Sequence, residues 1–123
     1  MMNWYFGWSM LVAAFVSGAG LGLFFYRDDF LGGYNTFQRR IVRLGHIALA
    51  ALGIINVLFS LVPTPTEPTV RTMIASIGFA VGGVTMPAVC FLTAWRLGFR
   101  HLFFIPVISL IVAALQMLWI GPP

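Results

Sequence analysis

Charge is scarce in this sequence. Of its 123 residues only 8% are charged and three are acidic, whereas 60% are hydrophobic, and the mean hydropathy is +0.96. A water-soluble domain of this length cannot hide so many apolar side chains. A bilayer solvates them directly, provided the backbone meets its own hydrogen bonds in helices or a closed barrel. Cysteine is scarcer still. With Cys90 alone, an intrachain disulfide and a cysteine-rich metal site are excluded, and the thiol reads as a small apolar filler.

Other absences narrow the function classes. The three acids, Asp28, Asp29 and Glu67, all fall between apolar runs, so no span holds the intramembrane carboxylate on which proton-coupled cation export depends. There is no Ser, His and Asp arrangement, no pair of facing carboxylates and no phosphate-cradling loop, which argues against a hydrolase or transferase. Two adjacent aspartates in RDDF are too few for a hard cation and read as local salt-bridge partners.

What the chain does have is four apolar segments, residues 4–26, 41–62, 72–95 and 102–120. Each is long enough to cross about 30 Å of hydrocarbon at about 1.5 Å per residue. None alternates with the period of two that a barrel strand needs. The expectation is an all-α integral membrane protein, a single domain over 1–123 built as a four-transmembrane-helix bundle. MMNWYFGW carries no positive n-region and is read as the start of a retained span, not as a secretory signal. The connections hold the charge, and PTPTEPTVR adds Pro63, Pro65 and Pro68, which cannot continue a helix.

Arginine sets the expected orientation. Loops 1 and 3 with their flanks hold Arg27, Arg39, Arg40, Arg43, Arg96 and Arg100, against Arg71 alone at loop 2. Positive residues beside short spans stay on the cytoplasmic side, so both termini are expected outside, in a bacterial-type plasma membrane. Trp4, Tyr5, Trp8 and Trp119 then serve as outer interfacial aromatics. The arginines flank hydrophobic spans, which fits anionic lipid headgroups as partners and speaks against nucleic acid.

Small residues mark expected helix contacts. Ala14, Gly18 and Gly22 recur every four residues in helix 1, as do Gly78 and Gly82 in helix 3, a spacing that lets backbones approach closely. Pro87 is expected to free a carbonyl in helix 3, with Thr85 offering part of the compensation. On helix 2, Arg39, Arg43, His46, Ala50, Gly53, Val57 and Ser60 project to one side. That small, polar stripe is expected to face another helix or a flat ligand and not lipid.

Two constellations suggest chemistry. His46 and His101 lie on parallel helices at depths within about 3 Å of each other, with Arg43 and Arg100 beside them, as a bis-histidine b-type haem with arginine-paired propionates requires. Pro106 qualifies this, because proline favours the first helical turn, which places His101 in an interfacial lead-in. Asn56 and Gln116 also match in depth and read as an interhelical amide pair or a contact for a quinone carbonyl. Three function classes follow. The leading one is a non-catalytic subunit or scaffold of a larger membrane assembly, partnered by other membrane subunits or copies of itself. The second is an electron-transfer subunit binding haem b or quinone. The third is a small-solute pore or carrier lined by Asn56, Thr85, Ser109 and Gln116.

Overall fold

A computed structural model of the chain describes residues 2–63 and 67–121, and these are helical apart from connecting turns. The elements are α1 (Met2–Phe25), a 3-10 turn at Phe30–Gly32, α2 (Phe37–Ser60), α3 (Val70–Trp95), a 3-10 segment at Leu97–Phe103, and α4 (Phe104–Ile120). Four helices are long and apolar enough to cross a membrane, the fourth counted over Leu97–Ile120.

The helix starts follow from capping. α2 begins at Phe37 rather than Ile41 because the Thr36 hydroxyl accepts from the Arg39 N–H at 3.3 Å, satisfying one of the free donors of the first turn. Thr69 does the same for α3 through the Thr72 N–H. The arginines that open α2 are therefore helical, Arg39 buried and Arg40 exposed. The fourth apolar segment opens as a 3-10 turn that holds His101, and Pro106 lies in the first turn of the α-helix that follows.

The helices run alternately up and down, each packed on its sequence neighbour, with α1 making a lesser contact with α3. α1 and α4 therefore stand at the two edges. In the most apolar stretch of α3, 44% of residues are buried, against 11% in α1 and in the fourth span, so α3 is the central strut. Glycines bring the backbones together. A Cβ on Gly7 would lie 2.7 Å from the Gly53 carbonyl oxygen, and one on Gly78 would lie 2.9 Å from that of Ser109. Neither seam has room for a methyl group. Gly82 faces Leu110, and Ala75, Phe79 and Ala113 form a buried cluster between α3 and α4.

Within the chain, Gly22 has nothing within 4 Å of an added Cβ, and the last glycine of α1 in contact with α2 is Gly18. One expectation is corrected. The Thr85 hydroxyl donates to the Val81 carbonyl at 2.7 Å, one turn of its own helix back, and not to the Gly83 carbonyl that Pro87 deprives of its usual donor. α3 continues through Pro87 as one helix.

Candidate functional site

The polar stripe of α2 lies against α1. At its start Arg39, only 4% exposed, donates from Nη1 to the Arg27 carbonyl at 3.2 Å and from Nη2 to the Phe25 carbonyl. Phe25 is the last residue of α1, whose final carbonyls have no partner within the helix. A guanidinium there meets both the orphan acceptors and the negative end of the helix dipole. The same guanidinium lies 4.7 Å from the Phe25 ring centroid, and Arg43 lies 5.0 Å from that of Tyr34. These two arginines clamp the first loop onto the helix pair. Arg27 pairs with Asp29 at 3.5 Å, and both are exposed.

One turn further, Nδ1 of His46 is 3.2 Å from the Ser17 hydroxyl, which also donates to the Ala14 carbonyl at 3.1 Å. The Nε2 edge of the same ring points at α1. That nitrogen has no open side towards α1. A Cβ on Gly18 would lie 2.9 Å from Cε1 and 3.2 Å from Nε2, so the glycine is the slot that receives the ring edge. Gly53 continues the contact against Gly7, Met10 and Leu11.

Asn56, fully buried, ties three helices. Its Oδ1 accepts from Nδ2 of Asn3 at 2.8 Å, and its Nδ2 donates to the carbonyls of Leu52 at 2.9 Å and Phe79 at 3.2 Å. Asn3 Nδ2 also donates to the Ser76 carbonyl at 3.2 Å, and the Ser76 hydroxyl donates to Asn3 Oδ1. The amide protons of Asn56 are thus committed, and its oxygen has a partner.

The residues matched by depth on α2 and α4 do not meet, because α3 separates those helices. Gln116 is half-buried on α4 while Asn56 bonds to α1 and α3. His101 is exposed and lines an opening with Arg96, Leu97 and Phe99, whereas His46 belongs to the α1–α2 seam. Within one chain the two imidazoles share no site, and Arg43 is engaged with Tyr34 while Arg100 lies on the 3-10 segment. Thr85 bonds within its own helix, and Ser109 meets Gly78 through its backbone. Among the described residues no three His, Cys, Asp or Glu side chains cluster as a metal site.

Sequence reasoning did not find Asn3, Ser17, Ser76 or Gly7. The signal for the first and third was present. Asn3 near the start of α1, Asn56 near the end of α2 and Ser76 near the start of α3 share a level once neighbouring antiparallel helices are compared, a comparison that parallel helices alone do not supply. Comparison with protein-family models, curated proteins and solved structures found no match.

Proposed function

We propose that the chain is a non-catalytic integral membrane subunit or scaffold, with its arginine-rich end on the cytoplasmic side of a bacterial-type plasma membrane. The observation that carries this reading is where the polar groups go. His46 and Asn56, which looked like ligand contacts, and Arg39 of the same stripe are engaged in joining helices, while the outer faces of α1 and α4 expose Phe15, Val16, Leu23, Ile108, Ile111 and Leu118. In water such a continuous apolar surface leads to association. In a bilayer it meets lipid or another membrane helix. Exposed Trp4, Trp8 and Trp119 mark the opposite end from the arginine-rich loops, as an interfacial aromatic belt does.

The test is site-specific photo-crosslinking in cells, from Phe15 on α1 and Ile111 on α4. One discrete protein adduct at either edge is the expected result, and lipid adducts alone at both would overturn the subunit reading. Orientation is checked in a Cys90→Ala background. Glu67→Cys reacts with an impermeant maleimide in intact cells, and Asn35→Cys does so only after permeabilisation; the reverse pattern inverts the topology. A reduced-minus-oxidised spectrum with a b-type α band would replace this reading by electron transfer.

A further inference from the structure

At the arginine-rich end, the first turns of α2, the last turn of α3 and the 3-10 segment enclose a cleft of about 560 Å³, within the range of about 300–1,000 Å³ usual for small-ligand sites. Phe37, Trp95 and Phe103 give it apolar walls, and Gln38 and Arg100 add an amide and a cation. Thr93 also lines it, a residue 2% exposed whose buried hydroxyl has no hydrogen-bond partner. No carboxylate lines this cleft, and the one ion pair among the described residues, Arg27 with Asp29, does not involve Arg100. Arg96 and His101 line a second opening along the same 3-10 segment, so a further arginine lies close to the cleft.

We infer that this cleft holds an anionic phospholipid, its phosphate on Arg100 and Gln38 and the upper part of one acyl chain along Phe37, Trp95 and Phe103. The level of the cleft selects the ligand. Gln38 is the second residue of α2 and Trp95 the last of α3, so the cleft sits where hydrocarbon gives way to headgroups if the helices cross a bilayer. An apolar slot opening onto an unpaired guanidinium at that depth matches an amphiphile whose charge and chain meet at the same level. A soluble anion would leave the aromatic walls bare. The site rests on the membrane placement proposed above.

Trp95 reports on it directly. Trp4→Phe, Trp8→Phe and Trp119→Phe leave it as the sole tryptophan, and the protein is reconstituted into vesicles of phosphatidylcholine and phosphatidylglycerol, with one lipid at a time brominated high on its chains. The expected result is that brominated phosphatidylglycerol occupies the contact about five-fold more favourably than phosphatidylcholine, the preference that one arginine contributes near an anionic surface. Arg100→Ala abolishes that preference, and Arg40→Ala, which removes an exposed arginine outside the cleft, keeps it. Equal quenching by both lipids overturns the site. So does a preference that survives Arg100→Ala, or one that Arg40→Ala removes equally, since either is diffuse surface attraction. Quenching by neither lipid, with helical circular dichroism intact, overturns the membrane placement and the site with it.

Discussion

The α1–α2 and α3–α4 seams are built from the same small residues but held by different forces. Both bring backbones together at glycine, Gly7 against Gly53 in one and Gly78 against Ser109 and Ala113 in the other. The first adds hydrogen bonds along its length, from Asn3–Asn56 at one end through Ser17–His46 to Arg39 on the Phe25 carbonyl at the other. The second is apolar, with Phe79, Leu110 and Ala113 in contact. In a bilayer the hydrophobic effect does not separate helix from lipid, so association depends on close packing and on hydrogen bonds. α1, whose own surface is mostly exposed, is fastened by polar ties, while α4 relies on fit alone.

The contrast breaks most sharply at Gly7. Gly7→Leu places a side chain where a Cβ already meets the Gly53 carbonyl and the Val57 N–H, so the backbones must part and the Asn3–Asn56 bond goes with them. The expected loss is about 3 kcal/mol or more, read as unfolding free energy in mixed detergent micelles. Asn56→Ala removes three hydrogen bonds and leaves Asn3 and the Phe79 carbonyl short of partners, for a loss of about 1–3 kcal/mol. A double-mutant cycle with Asn3→Ala should show coupling of at least about 0.5 kcal/mol; strict additivity would remove the claim that the two amides act together. On the apolar seam, Gly78→Ala is expected to lose about 1–2 kcal/mol by overpacking against Ser109 and Ala113, and a neutral result would mean that α4 shifts freely. Ser17→Ala, which takes away the partner of His46, should lose about 0.6 kcal/mol. Gly22→Ala is the smallest. With nothing near its Cβ, its unfolding free energy should stay within about 0.5 kcal/mol of the parent, and a larger loss would put a second chain or an unseen contact on that face.

Legibility in the sequence followed the range of the interaction. The four helices could be read because a run of apolar residues is a property of neighbours in the chain, and their ends differ most where Thr36 caps α2 ahead of the arginines and where Leu97–Phe103 turns as a 3-10 segment, with shifts of about two residues elsewhere. The stripe on α2 was visible as a face needing cover, though not what covers it. His46 looked like a ligand because His101 matches it in depth on a parallel helix, with arginines beside both. Its slot is a glycine on another helix, Gly18, and nothing in the local pattern of α2 points there. Asn56 was paired with Gln116 from depth alone, which counts residues along an axis and is blind to the intervening α3.

By itself the sequence determined helix number and length, where charge gathers and which positions need a partner, because hydropathy, capping and periodicity act within a few residues. Only the tertiary structure decided who the partners are. Choosing Asn3 and the Phe79 carbonyl for Asn56, Ser17 for His46 and the end of α1 for Arg39 depends on which helices are adjacent and how they are rotated, and both are settled by how closely glycine lets one backbone approach another.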